Sequence, residues 1–132
     1  MKSLKMKLAV TVGAKPDAVF KALTNAKTIE AWSGQKGAVA SRVGGAFEMF
    51  DGWVKGKVLE YRPGKSLAYT WHTEDWTADT EASIVRYTFA AVPAGTKILL
   101  EHSNLPNERE MKSHKSGWKE HVFDQLKEHF SK

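Results

Sequence analysis

The segment from residue 107 to residue 130 constrains the fold of this chain more than any other. It is the one stretch whose helical apolar repeat is long enough to cover a sheet, and it predicts a helix roughly 35 Å long. Asn107, with Glu110 three residues later, is the capping pair expected at its start. The interior Gly117 costs roughly 1 kcal/mol relative to alanine, so it is either tolerated or allows a strand or ligand to approach closely. The apolar positions of this helix, mostly four residues apart, are Met111, Trp118, Val122, Leu126 and Phe130.

The chain begins with a different period. Apolar residues alternate with polar ones from Leu4 to Val12, which predicts a half-buried strand. Pro16 then suits the first turn of a short helix, and Thr24-Asn25 is suited to end that helix and cap a second one. Ser33-Gly34 ends the second helix.

Turn residues divide the middle of the chain into strands. Asp51-Gly52 predicts a two-residue hairpin, because both residues tolerate positive φ. Pro63-Gly64 and Pro93-Ala94-Gly95 mark two further turns, and residues 74–81 form a polar connection. The predicted strands after the short helices are 46–50, 53–61, 65–73, 82–92 and 96–103.

This order of elements predicts an α+β chain with the helix-grip fold. A curved antiparallel sheet of about six to seven strands wraps around the long C-terminal helix, and two short helices follow the first strand. Only the last helix is long and apolar enough to cover the sheet. Residues 1–132 are therefore expected to form a single domain, and the sheet curvature is expected to leave a cavity beneath the helix.

Composition excludes several classes of protein. The chain has 132 residues and no cysteine, which excludes disulfides, thiolate catalysis and cysteine-based zinc sites. Its net charge of +5 raises the possibility of nucleic-acid binding, but lysine and glutamate alternate along the last helix, so no nucleic-acid partner is predicted. No membrane-spanning or signal-like apolar run occurs, which predicts a soluble cytoplasmic protein with no membrane partner.

Catalytic motifs are also missing. The five histidines form no metal-binding pattern, and neither a G-x-S-x-G motif nor a phosphate-binding loop is present. The sequence therefore predicts no catalytic residues, no metal, no cofactor and no enzymatic activity.

An ordered set of motifs resembles a known family. The segments Gly44-Gly45-Ala46-Phe47 and Asp51-Gly52-Trp53-Val54-Lys55-Gly56 resemble its G-G-x-F and D-G-x-V-x-G signatures, and the set continues through Pro63-Gly64, Trp71, Gly95-Thr96, Pro106-Asn107 and Gly117-Trp118 to Phe130. Together they resemble the activator-of-heat-shock-protein-90-ATPase family of the START-like (SRPBCC) superfamily, over about residues 12–131.

The resemblance implies two functions. Some family members are co-chaperones that bind heat-shock protein 90 in the stress response and stimulate its ATP hydrolysis, and small relatives are presumed to hold apolar ligands. It implies the C-terminal-type domain only, since the N-terminal domain with which eukaryotic activators engage the chaperone has no counterpart in this sequence. We therefore expect a monomeric binding domain that is a partner of heat-shock protein 90. The alternatives are a carrier or sensor of a small hydrophobic molecule and, less favoured, a cavity enzyme of the polyketide-cyclase type.

Strand alternation proposes the lining of a ligand cavity between the sheet and the last helix, although the same side chains would also suit a filled core. The candidates are Phe47, Met49, Tyr69, Trp71, Tyr87, Phe89, Leu100, His102, Trp118 and Val122.

Four side chains, His102 among them, have more specific alternative interpretations. His102 is interpreted as a hydrogen-bonded structural histidine, or else as a group that orients a ligand or pairs with a tyrosine as a general base. His114 is interpreted as a surface histidine, or else as one flanking the cavity entrance. Trp53 and Trp76 are candidates for exposed aromatic residues that form a partner-contact patch with nearby lysines.

Overall fold

A seven-stranded antiparallel sheet organises the computed structural model, which describes residues 4–131. The strands are β1 (Leu4–Val12), β2 (Ala38–Val39), β3 (Ala46–Met49), β4 (Val54–Arg62), β5 (Ser66–Thr73), β6 (Ser83–Val92) and β7 (Gly95–Leu105). Their spatial order is β1-β7-β6-β5-β4-β3-β2, with every neighbouring pair antiparallel. The helix-grip α+β fold is confirmed.

The helices lie on the inner face of this sheet. They are α1 (Pro16–Thr24), α2 (Ala26–Ser33), α3 (Glu108–Gly117) and α4 (Asp124–Phe130), with a π-helical segment (Trp118–Phe123) joining the last two. We call the continuous run from Glu108 to Phe130 the C-terminal helix. No helix within residues 4–131 is both long and apolar enough to cross a membrane.

Local sequence signals place the helix ends as predicted. Pro16 occupies the first turn of α1, and the Asn25 side chain accepts a hydrogen bond from the Thr28 N–H at 3.1 Å to cap α2. Gly34 ends α2 in the left-handed conformation, with φ 75°. Asn107 caps the C-terminal helix by accepting the Glu110 N–H at 2.9 Å.

The connection between β3 and β4 is longer than predicted. Met49 pairs with Val54, so four residues form the turn. The prediction of a two-residue hairpin at Asp51-Gly52 is therefore wrong. The reason is a tether across 15 residues: the Asp51 carboxylate accepts the Lys36 N–H at 2.8 Å, and the Asp51 N–H donates to the Lys36 carbonyl at 2.9 Å. These two bonds hold the turn against the segment before β2, a two-residue strand too short to show a pattern in the sequence.

Two helices besides the last one help to cover the sheet, which corrects the expectation that the C-terminal helix does so alone. Phe20 of α1 packs edge-on against Phe89 of β6 and Tyr61 of β4, at centroid distances of 5.8 and 5.0 Å. Trp32 of α2 is buried and donates its indole N–H to the Ala22 carbonyl at 2.6 Å. Helix α1 lies against β2, β6 and β7 and α2 lies against β2, whereas the C-terminal helix lies against β1 and β7.

Candidate functional site

The ten predicted cavity residues are all buried, but the structure divides them into two groups. Trp71, Trp118 and Val122 line an open groove. The other seven lie in the packed interior: Phe47, Met49, Tyr69, Tyr87, Phe89, Leu100 and His102. Six of these seven expose 3% or less of their surface, and Phe89 exposes 9% beside α1, so side chains fill the space where a ligand cavity was predicted. Whether any of the ten binds a ligand stays a prediction.

The groove has a volume of about 720 Å³ and lies beside the C-terminal helix. Its floor consists of the buried side chains of Trp71, His114, Trp118 and Val122. Phe50 and Trp53, from the β3–β4 connection, form one wall, and Gly117 on the helix lies among the lining residues opposite. Exposed polar residues make the rim: Gln35, Ser113, Ser116, Glu120, His121 and Gln125.

His102 is held in one tautomer by its partners. The Trp118 indole can only donate, so its N–H, 3.0 Å away, requires an unprotonated His102 Nδ1. His102 Nε2–H therefore donates to Ser83 Oγ at 2.8 Å, and that hydroxyl donates to the Trp71 carbonyl at 2.8 Å. Burial, followed by the proximity of His114, lowers the pKa of His102 to about 3. The prediction of a hydrogen-bonded structural histidine is confirmed.

His114, which lines the groove, is held in the same way by an indole N–H on one ring nitrogen and a hydrogen-bond acceptor on the other. Trp71 donates its indole N–H to His114 Nε2 at 3.1 Å, so Nδ1 carries the proton and donates to the Glu110 carbonyl at 2.9 Å. The side chain is only 8% exposed, so the interpretation as a surface histidine is wrong. Sequence alone could not show the pairing, because Trp71 lies 43 residues away.

The two histidines offer no lone pair to a metal ion. Their ring centroids are 5.2 Å apart, but all four ring nitrogens are engaged in the hydrogen bonds above. No cluster of three or more metal-ligating side chains occurs within residues 4–131. The absence of a metal site in the full protein stays a prediction.

The suggested pairing of His102 with a tyrosine does not form. Tyr69 and Tyr87 instead hydrogen-bond each other through their hydroxyls at 2.8 Å. Burial raises the pKa of both groups well above the ordinary value, which keeps both phenols neutral. Phe47 stacks on Tyr69 at a centroid distance of 3.7 Å, which places the pair deep in the interior.

Trp53 and Trp76 are half-buried rather than exposed, which corrects their interpretation as surface anchors. The Trp53 indole donates to Asp75 Oδ2 at 2.9 Å, and the Trp76 indole donates to Glu110 Oε1 at 2.8 Å. Both rings pack near His114, at centroid distances of 6.3 and 5.7 Å. They extend the tryptophan–histidine cluster outward, Trp53 into the groove wall and Trp76 beside it.

The wall opposite the helix rests on strained backbone. Phe50 and Asp51 adopt left-handed conformations, with φ of 53° and 58°, although neither is glycine. Such residues cost of order 1–3 kcal/mol each and persist only where their surroundings hold them. The tether from Asp51 to Lys36 supplies that support, and Phe50 meets Trp53 at a centroid distance of 6.3 Å.

On the helix side of the groove, the backbone also departs from regular α-helix. Gly117 ends α3, and the π-helical turn begins at Trp118. A Cβ atom on Gly117 would meet only His121 Cδ2, at 4.0 Å, so no strand approaches the glycine closely. Gly117 borders open space instead. Of the two close approaches considered for this glycine, that of a ligand is therefore favoured over that of a strand. Phe50, Trp53, His114 and Gly117 line the groove but are not among the ten predicted residues. Only His114, as a residue flanking a cavity entrance, and Gly117, as a site of close ligand approach, had a signal in the sequence.

Comparison with known proteins places this geometry in context. The family model described as "Activator of Hsp90 ATPase homolog 1-like protein" matches residues 13–131. The chain is 26% identical over 126 residues to the mouse activator of 90 kDa heat shock protein ATPase homolog 1, covering 96% of this chain and 37% of that protein. It therefore spans well under half the length of this curated relative.

Two solved structures match over nearly their whole chains. A Mesorhizobium loti protein superposes with a TM-score of 0.81 at 26% identity, covering 95% of each chain. A Plasmodium falciparum protein described as an HSP90 activator superposes with a TM-score of 0.79 at 26% identity, covering 94% of this chain and 92% of its own. With the family model matching from residue 13 to residue 131, the chain belongs to the family of activator of Hsp90 ATPase homolog 1-like proteins.

Proposed function

We propose that this domain is a non-catalytic binding module whose partner is heat-shock protein 90. The observation that carries the proposal is the match to the Plasmodium HSP90 activator, because it covers 92% of a chain of comparable size. A domain of this length is thus found in a protein described by that activity. The 37% coverage of the mouse activator leaves ATPase stimulation as a separate question from binding.

The chemistry of the interior supports a non-catalytic role. A general base needs a free lone pair and a pKa near the working pH. His102 has neither, because both ring nitrogens are hydrogen-bonded and burial lowers its pKa to about 3. The tyrosine hydroxyls pair with each other, and burial raises their pKa values.

Binding is tested by titrating the ¹⁵N-labelled domain with heat-shock protein 90 of the same organism. We expect selective broadening of a subset of amide resonances, and an affinity that weakens as salt is raised, because the domain carries a net charge of +5. Unchanged spectra at high micromolar chaperone would overturn the proposal. Stimulated ATP hydrolysis, measured in parallel, distinguishes a binder from an activator.

Two matched double variants locate the contact face. Lys55 and Lys57 are exposed on β4, next to the Trp53 region predicted as a partner patch, whereas Lys112 and Lys115 are exposed on the C-terminal helix. Replacing either pair with glutamate changes the net charge equally. If the β4 side makes the contact, only Lys55→Glu/Lys57→Glu weakens binding, by about tenfold, or about 1.4 kcal/mol. Equal weakening by both pairs would show a non-specific charge effect instead.

A carrier role stays the alternative. The interior predicted for a ligand is filled, so a small molecule would have to enter at the groove.

A further inference from the structure

Three departures from regular backbone border one groove. Gly117 stands inside a helix without a close neighbour that requires a glycine. The π-helical segment that follows supplies Trp118, Glu120, His121 and Val122 to the lining. On the opposite wall, Phe50 lies in the left-handed conformation.

Such departures weaken a fold, and they persist where function needs the resulting shape. Elsewhere in the helix, local signals and structure agree, as the Asn107 cap shows. Asp51 and Asn104 are left-handed outside the groove lining, but Phe50, Gly117 and the π-helical segment share one groove, which points to a shape that serves binding.

The floor of the groove defines what it would bind. The indole N–H groups of Trp71 and Trp118 and both ring nitrogens of His114 are used in hydrogen bonds within the protein. Trp53 in the wall donates to Asp75 in the same way. The floor of the groove therefore offers aromatic rings and no charged group, and its polar side chains lie at the rim: the serine hydroxyls, Gln35, Glu120, His121 and Gln125.

We propose that this groove binds an uncharged, planar aromatic molecule whose polar substituents lie at its edge. Flat rings stack on or meet the edges of the indole and imidazole rings, and hydroxyl or carbonyl groups at the ligand edge hydrogen-bond to the rim. The volume of about 720 Å³ lies within the range of small-molecule sites. The inference goes beyond the proposed chaperone binding and does not depend on it.

The test compares 2-naphthol with decahydro-2-naphthol, which keeps the hydroxyl and the bicyclic skeleton but lacks the aromatic faces. Each is titrated into the ¹⁵N-labelled protein while the five indole N–H resonances are followed. We expect saturable shifts at Trp53, Trp71 and Trp118 with a Kd of about 0.1–1 mM for so small a probe. Trp32, which is not among the lining residues and whose indole N–H is bonded to the Ala22 carbonyl, is the internal control. The saturated alcohol should bind about tenfold more weakly.

Gly117 provides a matched pair of variants. Gly117→Leu should fill the groove and weaken 2-naphthol binding about tenfold or more, while Gly117→Ala should change it by less than about threefold, because its Cβ meets only one atom at 4.0 Å. If Gly117→Leu does not fold, as judged by circular dichroism, Phe50→Gly serves instead. It removes one ring of the wall and relieves the left-handed strain, and it should weaken binding about threefold or more.

Three results would overturn the inference: no saturable shift with 2-naphthol, equal affinity for the saturated alcohol, or undiminished binding in a folded wall variant. Chaperone binding is measured on the same Gly117→Leu protein. Its persistence when 2-naphthol binding is lost separates the groove from the proposed chaperone contact, and its loss together with 2-naphthol binding would assign both to one surface.

Discussion

The packed interior and the groove are built from the same residue types, but they differ in the regularity of the backbone around them and in whether side chains fill the space. In the interior, His102 and Ser83 hydrogen-bond to each other on strand backbone, and His102 accepts the indole N–H of Trp118, the residue at which the π-helical segment begins. In the groove, Trp71 and His114 form an equivalent pair, but strained or interrupted backbone surrounds them. The interior is therefore organised for stability, and the groove keeps open space at a cost in stability.

One residue of the interior departs from this description. Thr73 is 1% exposed, and its hydroxyl has no hydrogen-bond partner among the described residues. It lies at the end of β5, where the strand leaves the sheet beside the β3–β4 connection. The difference between the two regions thus concerns the hydrogen-bonded centre of the interior, which the following substitutions test.

The largest effect is expected from His102→Leu. The change leaves the buried Trp118 N–H without its acceptor, which costs about 1–3 kcal/mol, and removes the bond to Ser83, which adds about 0.5–1.5 kcal/mol because that hydroxyl keeps its bond to the Trp71 carbonyl. We expect the free energy of unfolding to fall by about 1.5–4.5 kcal/mol in urea denaturation. His121→Leu, at an exposed position on the groove rim, is the control and should change stability by less than about 0.5 kcal/mol. Similar losses in both variants would remove the distinction between the two regions.

Leu100→Trp tests whether the interior is filled. Leu100 has no exposed surface and pairs with Tyr87 across the sheet, so the larger ring must displace packed neighbours. Overpacking of this kind destabilises by up to about 3 kcal/mol, which thermal unfolding would report as a lower midpoint. An unchanged or raised midpoint would reveal an interior cavity and revive the carrier site predicted from the sequence.

The strand and helix pattern, the turns and the helix caps could be predicted from local sequence, because each depends on a few neighbouring residues. Leu4–Val12 alternates as a half-buried strand, and Asn25 and Asn107 cap helices as expected. The length of the β3–β4 connection could not be predicted, since it depends on a tether between Lys36 and Asp51.

The candidate site was predicted only in part, for a related reason. Alternation along strands identifies which side chains turn inward, but not whether their volumes fill the space between sheet and helix. Trp71 reaches the groove beside the C-terminal helix, which itself supplies Trp118 and Val122. Tyr69 and Leu100 lie on the same sheet face as Trp71 but are packed over. The left-handed Phe50 has no sequence signal, because its conformation is imposed by its tethered neighbour.

The pH dependence of the free energy of unfolding tests the comparison through His102. Its folded pKa of about 3 lies below the ordinary value of about 6.5 for an unfolded chain, so between these values the unfolded state binds more protons. Stability should therefore fall as the pH falls below about 6.5. Between pH 7 and pH 5 this one group accounts for a loss of about 2 kcal/mol. The measurement is urea denaturation at each pH, and His102→Gln should lose that part of the pH dependence. If the variant and the parent protein respond equally, the buried neutral histidine is not its source.

The smallest effect has the opposite sign and comes from the groove. Gly117→Ala should raise the free energy of unfolding by about 1 kcal/mol, because alanine favours the helix and its Cβ meets only His121 Cδ2, at 4.0 Å. Gly56→Ala is the comparison within the sheet, where a Cβ would overlap the Thr70 carbonyl oxygen and should destabilise the protein. Denaturant midpoints measure both changes. A gain at position 117 means that the native sequence accepts a less stable helix where the groove lies open. A loss would mean that the glycine is required by packing, and the groove could no longer be read as space kept at a cost in stability.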